Sequence, residues 1–197
     1  MMQPPSSPAA RTIAAVATAC GLLLGSCTTT GPGASPPRER VHRDTPGSEQ
    51  LARQALQHLQ SDPSQAESLL ARALAADLYN GPAHNNLGTL YLRQGKLYEA
   101  AEEFEWARKL LPGHPDPRLN LALTLEHAGR TGEALATYAT ALEVYPEHIP
   151  SMQALARLQV RSGHEDKQTP RLLAEIALRG ETTAWREWAK EQGARGR

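Results

Sequence analysis

Histidine side chains are the first candidates for chemistry in this chain of 197 residues. There are seven histidines, and His114 and His148 occupy the same place in two related segments, with Asp116 and Glu147 close by. Imidazole and carboxylate groups together can bind zinc. Spacings typical of zinc sites, such as two histidines separated by three residues, do not occur here. Solvated loop residues are therefore the simpler interpretation.

Other catalytic patterns are missing from the sequence. It contains no glycine-rich phosphate loop, no nucleophile elbow and no paired-carboxylate motif. We therefore expect no enzymatic activity, no cofactor and no resident metal. An enzyme or metal-binding protein that uses the histidine-containing loops is the alternative from a different functional class.

Covalent chemistry is predicted at one cysteine. Residues 24–27 read Leu-Gly-Ser-Cys, an aliphatic residue and two small residues before Cys27. This pattern resembles the lipobox of bacterial lipoproteins, in which the cysteine receives a diacylglycerol and the chain is cleaved before it. The resemblance implies that Cys27 is lipidated. Cys20 lacks a large aliphatic residue at the matching place.

The segment before Cys27 is too short to span a membrane. Residues 12–24 are apolar or small and follow Arg11. A bilayer core requires about 20 apolar residues, whereas a run of this size is typical of a signal peptide. We predict a lipoprotein signal peptide at 1–26. An ordinary secreted protein and an uncleaved anchor are the alternatives.

Residues 27–46 are predicted to be a lipidated cysteine followed by a disordered linker. The linker is rich in Pro, Gly, Thr and Ser, and such composition does not support a packed core. Roughly 19 flexible residues span about 25 Å. In Gram-negative lipoproteins, the lack of Asp after the cysteine, where Thr28 stands here, resembles the pattern of outer-membrane sorting.

The overall composition favours helices and argues against nucleic-acid binding. Lys and Arg together number 21, as do Asp and Glu, so no cationic surplus is available to neutralise phosphates. Aromatic residues make up only 5%. A core with few rings depends on Leu and Ala, which suits closely packed helices.

A 34-residue repeat defines the body of the chain. Residues 81–114 and 115–148 share eight identical pairs at this offset, and Phe104 pairs conservatively with Tyr138. The identical pairs are Asn86/Asn120, Leu87/Leu121, Gly95/Gly129, Glu99/Glu133, Ala100/Ala134, Ala107/Ala141, Pro112/Pro146 and His114/His148.

The spacing within each copy resembles the tetratricopeptide repeat (TPR). The first copy reads His84-x₂-Leu87-Gly88-x₂-Tyr91, then Ala100-x₃-Phe104 and Pro112. The second copy reads Arg118-x₂-Leu121-Ala122-x₂-Leu125, then Ala134-x₃-Tyr138 and Pro146, and neither copy has the opening Trp. The resemblance covers 47–180 and implies an all-α fold, a TPR-type right-handed superhelix of about four helical hairpins.

Each motif residue has a physical role in such a hairpin. Gly88 allows a paired helix to approach closely, and Gly95 and Gly129 can adopt positive φ where a first helix ends. Phe104 belongs to the stripe by which the second helix packs on the first. Pro112 cannot continue a helix and predicts its end.

Weaker copies flank the two clear ones. In 47–80, Asp62-Pro63 is a predicted helix start, and in 149–182 the second helix is predicted to start late, at Thr169. We divide the body into a TPR-like domain at 47–180 and a C-terminal capping helix and tail at 181–197. Trp185 and Trp188 share one helix face and are predicted to cover the end of the array. The alternative is an aromatic face that docks a partner.

The resemblance implies a partner site in a concave groove lined by the first helices. Asn side chains can bind a peptide backbone, and Arg93, Arg157 and Arg161 favour an acidic segment or a terminal carboxylate. The alternative is that the asparagines bond between helices and the arginines are ordinary surface residues. The predicted groove residues are Asn86, Thr89, Arg93, Asn120, Leu123, His127, Arg157 and Arg161. The Lys/Asn set of chaperone-binding members is not recognisable.

These resemblances together imply a membrane-anchored scaffold for protein–protein interactions in the bacterial cell envelope. The expected location is the outer membrane facing the periplasm if the cell is Gram-negative. Similar lipoproteins assist pilus or secretion apparatus assembly, and adaptors for cell-wall hydrolases are the alternative. The expected partners are a protein or peptide in the groove and the membrane through lipidated Cys27, with no nucleic acid.

Overall fold

The computed structural model describes residues 43–195, which contain nine α-helices and no β-strand. The predicted signal peptide at 1–26, Cys27 and the predicted linker up to residue 42 lie outside the described residues. Within 43–195, none of the helices combines the length and apolar character needed to cross a bilayer.

Eight of the helices form four antiparallel hairpins, and the ninth follows them. The helices are α1 (Thr45–His58), α2 (Pro63–Ala76), α3 (Gly81–Arg93), α4 (Leu97–Leu110), α5 (Asp116–His127), α6 (Thr131–Val144), α7 (Ile149–Ser162), α8 (Thr169–Arg179) and α9 (Thr183–Arg195). Each helix packs on the next along the chain. The predicted count of about four hairpins is confirmed, including the late start of α8.

Helix starts follow the capping residues in the sequence. The side chains of Asp44, Asp62 and Asn80 each accept a hydrogen bond from a backbone N–H three residues on. Each cap satisfies a donor that the first turn leaves unpaired, and proline follows within two residues. Because Asp44 caps α1, this helix begins at Thr45, two residues before the predicted start of the repeat domain.

The turns inside three hairpins repeat one geometry. Gly95, Gly129 and Gly163 have φ of 74°, 74° and 68°, a region in which a Cβ is strained. In each case the residue after the glycine donates its backbone N–H to a carbonyl five residues earlier, as in Lys96 N to Tyr91 O at 2.9 Å. This bond satisfies a carbonyl at the helix end. The predicted left-handed conformation of Gly95 and Gly129 is confirmed.

Two apolar clusters form the core. The N-terminal cluster contains residues of α1, α2 and α3, such as Ala55 and Leu70, and the C-terminal cluster extends from α4 to α9. Tyr91 packs against both clusters, so the motif tyrosine joins them. At Gly88, an added Cβ would lie 2.8 Å from Cε1 of Phe104. The predicted close approach of the paired helices is therefore confirmed.

The last helix closes the C-terminal end of the array. Ala189 of α9 is buried, and Trp185 and Trp188 pack against the C-terminal cluster. The two indole rings meet edge to face, with 5.3 Å between their centroids. This packing matches the predicted capping role.

An ion pair joins the residues just before α1 to the end of α2. Asp77 is 2% exposed and accepts two hydrogen bonds from the Arg43 guanidinium, at 2.9 and 3.0 Å. It also accepts from the Thr45 hydroxyl and the Tyr79 N–H. Donation by Arg43, which outweighs the opposing effect of burial, lowers the pKa of Asp77 to about 2.

Asp77→Asn should lower the free energy of unfolding by about 2 kcal/mol near neutral pH, because charge-assisted hydrogen bonds are lost. The folded pKa lies below the ordinary value, so this stabilisation is present above about pH 4 and disappears as the pH falls through about 2. Urea titrations of the two proteins should therefore converge on acidification. Glu49→Gln, at an exposed pair with Arg53, is the control. If the difference in unfolding free energy between wild type and Asp77→Asn did not change with pH, the role of the carboxylate would be contradicted.

Candidate partner-binding groove

The first helices of the four hairpins form a continuous surface. Helix α1 contacts α3, α3 contacts α5, and α5 contacts α7, whereas the second helices of neighbouring hairpins do not pack on one another to this extent. Because the first helices approach each other more closely, the array curves around them. We call the solvent-facing sides of α1, α3, α5 and α7 the inner surface.

Several predicted groove residues are accessible at this surface. Arg93 and His127 are exposed in the last turns of α3 and α5, and Leu123 is half-buried. Thr89 is also half-buried, and its hydroxyl donates to the Asn85 carbonyl of its own helix at 2.8 Å. The Thr89 hydrogen is thus already used, which leaves its oxygen as an acceptor.

The two predicted asparagines have different surroundings. Asn120 donates from its amide to Oδ1 of Asn85 at 3.1 Å, which joins α5 to α3. Asn86 is the residue that the repeat aligns with Asn120. It directly follows Asn85 in α3 and borders a cleft between α1 and α3. This cleft has a volume of about 400 Å³, and Leu56 and Leu111 contribute to its walls. The inter-helix bond considered as an alternative is therefore present at Asn120, with Asn85 as its partner.

A carboxylate on α5 binds both predicted arginines of α7. Arg157 Nη2 donates to the two oxygens of Glu126 at 3.0 and 3.1 Å, and Arg161 Nη2 donates to Oε1 at 2.9 Å. The side chain of Glu126 is only 7% exposed, whereas those of Arg157 and Arg161 are 39% and 58% exposed. One negative charge is thus shared by two positive charges, which leaves a net positive site facing solvent.

The Glu126 carboxylate is also bonded to a side chain of the core. The Tyr138 hydroxyl donates to Oε2 of Glu126 at 3.0 Å. Burial, and then the charge of Glu126, raise the pKa of Tyr138, so the phenol stays protonated and remains a donor. Glu126 therefore links the packing of α6 to the positions of Arg157 and Arg161 on the inner surface.

The histidine-containing loops meet at an aspartate. Nδ1 of His114 lies 3.5 Å from one oxygen of Asp116, and Nε2 of His148 lies 3.4 Å from the other. His148 also bonds to the Ser151 hydroxyl through Nδ1 at 2.7 Å, and burial lowers the pKa of His148. In residues 43–195, no group of three or more His, Cys, Asp or Glu side chains is arranged to hold a metal ion. Glu147 pairs instead with Arg179.

Two contributors to the inner surface are absent from the sequence predictions. They are Glu126, which orients the arginines, and Asn85, which pairs with Asn120. Glu126 has a detectable signal, because an acidic residue in the last turn of a helix opposes the helix dipole. Asn85 has no such signal, since it stands beside another asparagine at a neighbouring helix position.

Comparison with known sequences gives the following matches. A family model described as tetratricopeptide repeat matches residues 50–115 and 85–149. Protein NPGR1 of Arabidopsis thaliana is 28% identical over 131 residues, which is 66% of this chain and 18% of that protein. A probable UDP-N-acetylglucosamine–peptide N-acetylglucosaminyltransferase SPINDLY of Hordeum vulgare is 32% identical over 99 residues, 47% of this chain and 10% of that protein. The chain spans less than a fifth of the length of either relative.

Solved structures share the arrangement of hairpins. The first TPR of Spaghetti (RPAP3) bound to the HSP90 peptide SRMEEVD has a TM-score of 0.59 at 18% identity and covers 62% of this chain and 98% of that one. The crystal structure of MamA has a TM-score of 0.57 at 16% identity and covers 76% and 82%. The Sgt2 TPR domain from Aspergillus fumigatus has a TM-score of 0.57 at 21% identity and covers 64% and 89%. The predicted fold class, an all-α right-handed superhelix of hairpins with a capping helix, is confirmed.

Proposed function

Because this chain belongs to the tetratricopeptide repeat family, we propose that it is an interaction scaffold whose inner surface binds a segment of another protein. Repeats of this kind stack into solenoids with extended concave binding surfaces. The observation that carries the proposal is the convergence of Arg157 and Arg161 on the shared carboxylate of Glu126. This arrangement orients guanidinium donors at an open surface, where they can bind carboxylates of a partner.

Peptide binding is the mode that we favour for this surface. The Spaghetti domain was solved with an HSP90 peptide, and we propose peptide binding here on the strength of the inner-surface chemistry. The Asn85–Asn120 bond and the Glu126 cluster join neighbouring first helices before any partner arrives. A surface that is already ordered loses less entropy when it binds.

We propose a scaffold rather than an enzyme for this chain. The SPINDLY protein, whose name denotes a glycosyltransferase, matches this chain over only 10% of its own length. The polar side chains of the inner surface are engaged in structural contacts or exposed singly, as at Arg93. Binding, rather than bond making, is what such a surface can perform.

We further propose that the scaffold is tethered to a bacterial envelope membrane through lipidated Cys27. The support is the Leu-Gly-Ser-Cys pattern at 24–27, the short apolar run before it, and the linker composition that precedes α1. The outer membrane facing the periplasm is the proposed location in a Gram-negative cell. Assembly of pili or a secretion apparatus is the favoured process, and adaptation of cell-wall hydrolases is the alternative.

Charge changes on the inner surface should weaken partner capture. We expect Arg93→Glu combined with Arg157→Gln to reduce the yield of crosslinked partner from intact envelopes by about tenfold, since two guanidinium contacts are removed. The neutral replacement at Arg157 avoids a second carboxylate beside Glu126. The readout is quantitative mass spectrometry of the crosslinked pull-down.

The matched control changes the same charges on second helices. Arg72→Glu with Arg171→Gln alters exposed residues of α2 and α8, and we expect its yield to equal that of the wild type. Circular dichroism of both variants checks that the helices are retained. An unchanged yield from the Arg93/Arg157 variant would refute the inner surface as the binding site.

A further inference from the structure

Basic residues recur once per hairpin along the inner surface. Arg93, His127 and Arg161 are separated by 34 residues each, and each lies in the last turn of its first helix. All three are exposed. His58 also lies in the last turn of its first helix, but it is half-buried and 35 residues before Arg93, so it is outside this series. We call Arg93, His127 and Arg161 the basic row.

The basic row is only partly neutralised. Arg161 shares Glu126 with Arg157, so this pair of arginines retains one net positive charge. In the part of the chain that the structure describes, neither Arg93 nor His127 forms an ion pair with a carboxylate. His127 can donate a hydrogen bond whether or not its ring is charged. The row thus offers one hydrogen-bond donor group on the first helix of each of three successive hairpins.

A favourable interaction with the helix dipole explains why these residues are basic, but it does not explain why they recur at a constant spacing. A cation anywhere in the last turn would serve the dipole, and α5 has an acidic residue there as well, Glu126. The constant offset instead places the three side chains at equivalent positions of neighbouring helices. Equivalent positions on stacked repeats form a line across the array.

The spacing of this line matches an extended chain. Packed helices lie about 8–10 Å apart, and an extended polyproline II segment rises about 3.1 Å per residue with three residues per turn, so every third side chain lies on the same side. One step of the row therefore corresponds to about three residues of an extended segment. Building on the proposed peptide-binding function, we propose that the basic row binds an extended acidic segment of a partner protein whose carboxylates recur at every third residue.

A protein segment fits this surface better than a membrane does. The row lies on the side around which the array curves, as shown by the closer packing of α1, α3, α5 and α7. A flat bilayer reaches a convex or planar surface more easily than an inward-curving one. Binding to anionic lipid is therefore the competing outcome of the experiment.

The test measures the binding of labelled extended peptides to the folded chain by fluorescence anisotropy. One peptide has three glutamates at every third position of a Ser/Gly background, and the other has the same composition with the glutamates adjacent. We expect the spaced peptide to bind about tenfold more tightly, because it alone can pair with all three members of the row. Its affinity should fall as salt rises from about 0.05 to about 0.3 M.

The variant Arg93→Gln/His127→Gln/Arg161→Gln should bind the spaced peptide about tenfold more weakly than the wild type does. The matched control is Lys96→Gln/Arg130→Gln/His164→Gln, which removes one Lys, one Arg and one His from the turns that follow the first helices. Lys96 and Arg130 already pair with Glu67 and Glu133, so we expect a loss below about threefold.

Equal affinity for the spaced and adjacent peptides would overturn the inference, and so would equal effects of the two triple variants. Row-dependent binding to vesicles containing an anionic phospholipid, without binding of the spaced peptide, would overturn it in favour of a membrane contact. In each of these cases the scaffold proposal would still stand or fall on the crosslinking experiment with Arg93→Glu/Arg157→Gln. The two failures are therefore distinguishable.

Discussion

Replacing Phe104 with alanine should lower the free energy of unfolding by about 3–5 kcal/mol. The ring is 0% exposed and belongs to the C-terminal cluster. It packs against Gly88 of the paired helix so closely that a Cβ there would lie within 3.0 Å of three ring atoms. The neighbouring backbone cannot collapse fully into the vacated space, so a cavity would remain. Urea unfolding followed by circular dichroism measures the change.

The control for this prediction lies on the same helix. Tyr98 in α4 is 81% exposed, so Tyr98→Ala should change the free energy of unfolding by no more than about 0.5 kcal/mol. Both variants remove an aromatic ring from one helix, and only one of them removes it from the core. Similar losses for Phe104→Ala and Tyr98→Ala would contradict the packing described for this hairpin.

Cys27→Ala should transfer the protein from the membrane fraction to the soluble fraction. Each buried CH₂ contributes about 0.8 kcal/mol, and a single acyl chain holds a protein only marginally, whereas two or three chains on one cysteine make attachment effectively permanent. The variant removes the thiol that would receive these chains. Fractionation of cells that express the full chain, followed by a high-salt wash, measures the distribution.

A second cysteine provides the matched control. Cys20→Ala lies inside the apolar run and should leave the protein in the membrane fraction. Because an unprocessed signal peptide can itself associate with membranes, the N-terminal peptide of the wild-type protein should also be weighed by mass spectrometry. We expect acylated Cys27 as its first residue. A wild-type peptide that retains residues before Cys27, or lacks acyl groups, would refute the lipoprotein proposal.

Local features of the repeats are predictable because they depend on neighbours in the chain. The positive φ of Gly95 and Gly129 follows from the need to end a helix within three residues of the next one. The closeness of Gly88 to Phe104 follows from motif positions that every hairpin of this type brings together. These features require only backbone preferences and the 3.6-residue period of a helix.

Contacts between different hairpins are harder to predict from the sequence. The repeat alignment pairs Asn86 with Asn120, yet Asn120 bonds to Asn85. Adjacent helices present opposite flanks to one another, so the matched pair Asn86 and Asn120 does not form this bond. The bonds that Arg43 donates to Asp77 are hidden for another reason, because Arg43 precedes the capping residue Asp44 and its position is set by the way the chain enters α1.

The repeat, the helix starts and turns and the all-helical class can be read from the sequence, because each depends on residue types at short range. The lipidation of Cys27 is a prediction from the same kind of short pattern. Which side chains are available at the inner surface depends on how the hairpins pack together. Nothing in the sequence distinguishes Arg93 from Arg157 and Arg161, but Glu126 pairs with Arg157 and Arg161 and not with Arg93. The physical reason is that a side chain's partner depends on the crossing of helices and on its rotamer, and neither is encoded by the 34-residue spacing alone.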